Sequence, residues 1–330
     1  MQTLIDKIFT EKRLVMNKKE IRIVYLGTPE ISAQVLEKLI NANYNIVAVV
    51  SQQDKPTGRK QIITPTPVKK IAIKYGIPVY QPEKIRLDYS FIEELKPDIL
   101  LTMAYGQLIP HEMLLIPTIK ALNLHGSLLP KYRGASPMQA ALLNGDKETG
   151  ITLMEMADKM DVGNMFYKEN ILLANDDNFD TLSEKMVDAA FKAFDKGIDP
   201  IINDNYQGEV QDENLATFTK KIKPEDQEIT FNESAINIMN KVRAFTSTPG
   251  AYFNFNNEKI KILKASVVPS DKELTPGKIV KYDKNSFLIE TSKDLLSIEM
   301  LQKPGKKPTP LRDFFNGNQH YFNVGEVLDV

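Results

Sequence analysis

Cysteine is absent from the 330 residues of this chain. Its absence excludes disulfides, thiolate metal centres and a cysteine nucleophile, and it fits a reducing compartment. Histidine occurs three times, at positions 111, 125 and 320. With no cysteine and no clustered histidines, a zinc site is not expected. No apolar run approaches the roughly 18 residues needed to span a bilayer. The first twenty residues mix charges with isolated apolar side chains, unlike a secretory signal. A cytoplasmic location without a membrane partner is therefore expected. Two phosphate-binding signatures are also missing. Gly27-Thr28-Pro29-Glu30 stands where a dinucleotide fold carries its glycines, yet it lacks G-x-G-x-x-G, which disfavours NAD. No G-x-x-x-x-G-K-[ST] loop is present either. The formal net charge is −1, so any nucleic-acid binding must come from local patches.

What remains is an ordinary globular composition, 42% hydrophobic and 26% charged, in a chain long enough for two domains. Apolar runs at 21–26, 46–50, 98–104 and 122–125 read as buried strands. Segments 30–42 and 66–75 carry helical spacing between them. Such alternation predicts parallel βαβ units in an open, Rossmann-like α/β sheet dominated by parallel strands. Ligands in such sheets bind beyond the carboxyl ends of the strands, where Gly27, Tyr105-Gly106 and His125-Gly126 should converge. Ser136-Pro137 opens a helix to about 144, strands follow at 151–156 and 165–173, and a long helix at 179–198 closes the first domain. Residues 205–224 are polar and read as a linker. Beyond them come a helix at 234–244 and short strands at 251–255, 259–268, 277–282, 286–291 and 295–302, a pattern of small β-barrels or sandwiches. The expected division is 1–20, an N-terminal extension; 21–204, a first domain; 205–224, a linker; and 225–330, a β-rich domain. Translation starting at Met16 and a short N-terminal helix are equal readings of the extension.

The chemically suggestive stretch is Leu122-Asn123-Leu124-His125-Gly126-Ser127-Leu128-Leu129-Pro130. Residues at i and i+2 of a strand share a face, so Asn123 and His125 project side by side just before a turn. A carboxylate from 156–163 can complete the set, and amide, imidazole and carboxylate together can hold an oxyanion and move a proton. Spacing does not choose between Asp158 and Asp161, although Gly163 favours a tight loop around Asp161. A satisfied buried histidine is the plain alternative for His125. His111 reads as a surface or capping residue and His320 as structural. Residues 54–74 hold six basic side chains and one acid, namely Lys55, Arg59, Lys60, Lys69, Lys70 and Lys74 against Asp54. They read as a flexible basic loop, either merely solvated or contacting phosphate.

Taken together, Val24-Tyr25-Leu26-Gly27-Thr28-Pro29, Asp54 to Lys60, Ala104-Tyr105-Gly106, Asn123 to Pro130, Arg133-Gly134-Ala135-Ser136-Pro137 and Asp161-Val162-Gly163 resemble the folate-dependent formyltransferases. Within that group, the Leu-Gly-Thr-Pro start, the Asp-Lys-Pro-Thr-Gly-Arg loop and the added β-rich domain resemble the methionyl-tRNA formyltransferase family, from about residue 21 to the C-terminus. The resemblance implies a formyltransferase fold with a C-terminal OB-like barrel. It implies formyl transfer from 10-formyltetrahydrofolate, without a metal, to the methionine amine of initiator methionyl-tRNA. It assigns catalysis to Asn123, His125 and Asp161, and folate binding to Ser127, Leu128, Leu129, Pro130, Tyr105, Gly106 and Gln107. It assigns tRNA contacts to Arg59, Lys60, Lys303, Lys306 and Lys307, in an enzyme expected to act as a monomer. Asn164 departs from the family, which often carries an acid there. Two other readings stay open: a formyltransferase acting on a small amine such as a sugar nucleotide or glycinamide ribotide, and a tRNA-binding protein without catalysis.

Overall fold

Residues 17–58, 60–203 and 205–328 are described by the structure, a computed structural model. The expectations for residues 1–16, including the start at Met16, and for Arg59 lie outside the described residues. Two compact units are present. The first holds the described residues up to Arg133, with Gly150–Ile171 and Glu184–Phe218. The second holds Gly134–Thr149, Leu172–Ser183 and the described residues from Thr219 onward.

In the first unit, β1 (Ile23–Gly27) is buried along its whole length. A strand apolar on both faces belongs in the middle of a covered sheet, and β1 lies between β2 (Ile46–Val50) and a strand at Ile99–Met103, parallel to both. Helix Glu30–Asn41 follows β1 and buries Val35, Leu36 and Leu39. The basic loop is a correction: it forms a ribbon of β3 (Lys55–Thr57) and β4 (Ile62–Thr64), antiparallel, with Thr57 Oγ1 2.6 Å from Thr64 Oγ1. Both strands are exposed or nearly so, with Ile62 61% and Ile63 70% accessible. With no face buried, the ribbon leaves no alternating pattern in the sequence. Helix Pro67–Lys74 follows, capped as its Thr-Pro start predicts, Lys69 N donating to Thr66 Oγ1 at 3.2 Å.

The remaining strands of this sheet are β5 (Val79–Tyr80), β6 (Ile99–Met103), β7 (Lys120–His125), β8 (Glu148–Glu155) and β9 (Met165–Leu172). Their order is β9-β8-β7-β6-β1-β2-β5. β6 and β7 are parallel, whereas β7 and β8 are antiparallel, with His125 opposite Thr152 and Leu122 opposite Glu155. The parallel-dominated sheet is as expected. Helix Phe179–Asn203 continues past the expected end at 198, through Pro200.

The second unit carries β10 (Ala251–Phe255), β11 (Glu258–Val268), β12 (Ile279–Asp283), β13 (Ser286–Glu290), β14 (Leu295–Gln302) and the short β15 (Thr309–Pro310). They form a six-stranded sheet in the order β10-β11-β14-β13-β12, with β15 on β14, and every described pairing within it is antiparallel. Burial alternates along β13 and β14, the mark of a sheet with one face on a core. That core holds Phe231, Phe245, Phe253, Phe287 and Phe322, and helix Ala235–Phe245, capped by Ser234, packs into it. His320, read as structural from the sequence, is exposed. No described helix is long and apolar enough to cross a membrane.

Candidate active site

The carboxyl ends of the first sheet's strands are stitched together, as the strand-end argument requires. Thr28 Oγ1 and Gln52 Nε2 both donate to the Tyr105 carbonyl at 2.9 Å, joining the residues that follow β1, β2 and β6. Beside β6, β7 places Asn123 opposite Thr102 and ends at His125. Asn123 is half-buried, and its side chain makes no hydrogen bond to another described residue. An amide with unspent donors at a strand end is ready for a substrate oxygen.

His125 is enclosed but not isolated. Its Nδ1 lies 3.6 Å from Asp161 Oδ1, with 6% and 11% of the two side chains accessible. Its Nε2 faces the Tyr132 carbonyl at 3.0 Å. Both ring nitrogens thus face oxygen. Asp161 reaches the ring from a loop whose ends are tied down, Met156 N donating to Ala121 O and Glu155 N to Asn164 O, both at 2.9 Å. Asp161 has φ 57°, a left-handed conformation that a carboxylate residue tolerates better than most. Gly163 allows the same loop to lie against β8, because a Cβ there would overlap the Glu155 carbonyl. Asp158, the competing carboxylate, pairs instead with His111, its Oδ1 2.5 Å from His111 Nδ1.

The segments assigned to folate divide by accessibility. Ser127 is fully buried, donating to the Lys131 carbonyl at 2.6 Å, and Leu129 packs against Met154 and Met165. Leu128 and Pro130 are half-buried. Tyr105 belongs to the sheet's core cluster, and burial pushes its hydroxyl up to about 12. No described residue hydrogen-bonds that hydroxyl. Gly106 is exposed, and Gln107 is occupied, accepting from Ile85 N at 2.9 Å. Sequence reasoning did not find a cavity of about 390 Å³ lined by His111, Leu114, Leu115, Pro117, Ile119, Lys120, Ala121, Glu155, Met156, Ala157 and Asp158. It lies at the amino end of β7, the far end of that strand from His125, beside the first residues after β8. The signal available was Asp158 itself, in the same loop as Asp161.

The basic residues fall into separate places. Lys60 is exposed at the tip of the β3–β4 ribbon in the first unit. Lys303, Lys306 and Lys307 belong to the turn after β14 in the second. Lys303 Nζ stands 3.7 Å over the Tyr321 ring, and the exposed Lys306 and Lys307 follow a turn closed by Gln302 Nε2 donating to the Lys306 carbonyl at 2.8 Å. No group of three metal-ligating side chains is found among the described residues.

A half-buried amide and an enclosed imidazole–carboxylate pair thus lie together at the carboxyl end of a central strand of an α/β sheet. The formyl transferase family matches residues 21–198, and the formyl transferase C-terminal domain matches residues 221–319. Methionyl-tRNA formyltransferase of Halalkalibacterium halodurans is 41% identical over 93% of this chain and 98% of its own length. The enzyme of that name from Sulfurihydrogenibium sp. is 36% identical, over 90% of this chain and 97% of its own. Among solved structures, an N-formyltransferase from Helicobacter canadensis, in complex with folinic acid and dTDP-3-aminofucose, superposes with a TM-score of 0.64 at 21% identity, covering 86% of this chain and 99% of that one. HypX from Aquifex aeolicus, in complex with tetrahydrofolic acid, gives 0.62 at 14% identity, covering 94% of this chain and 51% of that one. These last two are likenesses of fold. The chain belongs to the formyltransferase family and, within it, to the methionyl-tRNA formyltransferases.

Proposed function

We propose that this chain transfers the formyl group of 10-formyltetrahydrofolate to the free amine of methionine on initiator methionyl-tRNA, as translation begins. The observation that carries the site assignment is the 3.6 Å approach of His125 to Asp161 at the end of the strand that also presents Asn123. 10-Formyltetrahydrofolate supplies the activated one-carbon unit. As the amine nitrogen attacks the formyl carbon, negative charge gathers on the formyl oxygen. Asn123 donates an amide N–H to that oxygen, a contact worth about 3–4 kcal/mol in such sites. His125 supplies a second donor through Nε2–H, while the Tyr132 carbonyl keeps the ring in place. Asp161 orients the ring and, directly or through water, takes the proton the amine gives up and returns it to the departing nitrogen. Proton and electron pair balance, and the protein forms no bond to the formyl group.

The folate lies along the segment that follows β7, Ser127 to Pro130, beside Tyr105, Gly106 and Gln107 at the carboxyl ends of the strands, where apolar side chains suit a flat ring system. Leu128 and Pro130 flank the reacting end, while Ser127, Leu129, Tyr105 and Gln107 brace it from within. Residues 21–204 serve as the catalytic domain. Residues 225–330 hold the tRNA backbone through Lys303, Lys306 and Lys307, and Lys60, with Arg59 beside it in sequence, approaches the acceptor arm. Purified protein incubated with 10-formyltetrahydrofolate and charged initiator and elongator methionine tRNAs should yield N-formylmethionine on the initiator. Transfer to a sugar-nucleotide or glycinamide ribotide amine, with none to methionyl-tRNA, would overturn the reading.

A further inference from the structure

The two oxygens that face His125 belong to residues with an unusual backbone. Asp161 has φ 57° and Tyr132 has φ 62°. A left-handed conformation at a residue other than glycine costs roughly 1–2 kcal/mol and persists only where its surroundings over-determine it. For both residues, the polypeptide that does so is the same short stretch, 211–217, within the region that reads as a linker. Gln211 is buried, and its side-chain amide donates to the carbonyls of Asp161 and Gly163, both at 2.8 Å. Its Oε1 accepts from Arg133 Nε at 3.0 Å. Arg133, 2% accessible, forks onto Glu213 at 2.9 and 2.8 Å. At the other end, Thr217 Oγ1 accepts from Tyr132 N and the Thr217 carbonyl from Arg133 N, both at 2.8 Å, while Thr217 N donates to the Pro130 carbonyl at 3.3 Å.

Gln211 therefore makes three side-chain hydrogen bonds and spends both amide N–H donors on the loop that aims the carboxylate. Thr217 fixes the peptide whose carbonyl accepts from the imidazole. Arg133 joins the two, since it follows Tyr132 in the chain and bonds Gln211 through its side chain. We infer that residues 211–217 are a positioning strap of the active centre, in which Gln211 sets the place of Asp161 and Thr217 that of the Tyr132 carbonyl, so that His125 is held between two oxygens at fixed separation. This rests on the reading of His125 and Asp161 as the proton-handling pair. Neither Gln211 nor Thr217 needs to touch substrate. Their effect on rate is transmitted through geometry, and a displacement of about 1 Å can cost about 100-fold.

The test uses the full chain and single-turnover formylation of initiator methionyl-tRNA. Gln211→Glu is isosteric but keeps no donor for the Asp161 and Gly163 carbonyls; Gln211→Ala removes the link altogether; Thr217→Val removes only the hydroxyl. Each should lower the formylation rate about 10- to 100-fold while KM for tRNA and for folate moves less than about threefold. The pH dependence of the rate should change shape in the Gln211 variants, because the imidazole–carboxylate geometry has changed. In an Asp161→Asn background, Gln211→Ala should cost less than about threefold more, because its route to the chemistry is already cut. A purely structural role would instead lower melting temperature and folded fraction, leaving the rate per folded molecule intact. The strap is overturned if Gln211→Glu and Thr217→Val keep rates within about twofold, or if Gln211→Ala costs as much in the Asp161→Asn background as in the parent. Wild-type rates in His125→Ala and Asp161→Asn would sink the parent reading instead. Loss in those two with full activity in the Gln211 and Thr217 variants would remove the strap alone.

Discussion

His125 Nδ1 and Asp161 Oδ1 meet at 3.6 Å although one residue ends a strand and the other sits in a loop beyond the neighbouring antiparallel strand. If this pair handles the proton, His125→Ala and Asp161→Asn should each reduce formyl transfer by about 100- to 10,000-fold, the usual span for a lost acid–base group. Asn123→Ala should cost about 100- to 1,000-fold, as for a lost oxyanion donor. Melting temperatures measured beside the rates should stay near that of the parent for Asn123→Ala, whose side chain bonds no described residue.

Gly163→Ala tests the loop rather than the pair. The added methyl would overlap the Glu155 carbonyl, which is backbone and cannot swing aside. Overpacking of this kind costs about 1–3 kcal/mol, so the variant should unfold at lower denaturant and also lose rate as Asp161 is displaced. Denaturant melts and single-turnover rates measure the two losses separately.

Much of this architecture was legible from residue order, and the reasons differ by element. Strands buried on both faces, such as Ile23–Gly27 and Ile99–Met103, announce themselves as unbroken apolar runs. The β3–β4 ribbon did not, because nothing in it faces a core. The pairing of Asn123 with His125 follows from strand periodicity, but Asp158 and Asp161 were indistinguishable by spacing. Geometry separates them: Asp158 turns to His111, while Asp161 adopts the left-handed conformation and turns to His125. The contacts of Gln211 were illegible for another reason, since a single polar residue in a polar stretch carries no periodic signal of a partner fifty positions away.

Tyr105 offers a stability test. Its hydroxyl is buried, and no described residue hydrogen-bonds it. A buried polar group left unpaired costs about 1–3 kcal/mol, so Tyr105→Phe should raise stability by up to about that amount. Thermal or denaturant melts would detect it, and a fall in stability would contradict the expectation.

Acid should loosen the base of the β3–β4 ribbon. Gln81 and then Lys69, donating to Asp54 at 2.7 and 2.6 Å, hold its carboxyl below the usual carboxylate range. A depressed folded-state value gives stability that is fully present above the unfolded value, about 3.9 for aspartate, and lost as pH falls through the folded one. Melting temperature plotted against pH should therefore drop less steeply below about pH 4 in Asp54→Asn than in the parent.

Salt dependence separates backbone-contacting lysines from merely solvated ones. Each cation that neutralises a tRNA phosphate contributes about one unit to the slope of log affinity against log salt. Lys60→Ala should reduce that slope by about 1, and Lys306→Ala with Lys307→Ala by about 2. Filter binding of initiator tRNA across a salt series provides the measurement, and unchanged slopes would assign these side chains to solvent.

The antiparallel neighbour of β7 has a consequence for how this enzyme tolerates changes of length. Because Glu155 lies opposite Leu122 rather than His125, the chain leaves β8 three strand positions past the imidazole and must travel back about 10 Å before it can offer a carboxylate. The loop between 156 and 163 is thus a ruler. Surface loops ordinarily accept inserted or deleted residues with little penalty. In this one, a single-residue deletion would leave the acid short of its partner, so libraries of loop-length variants should be depleted of active members here far more than at the tip of the β3–β4 ribbon.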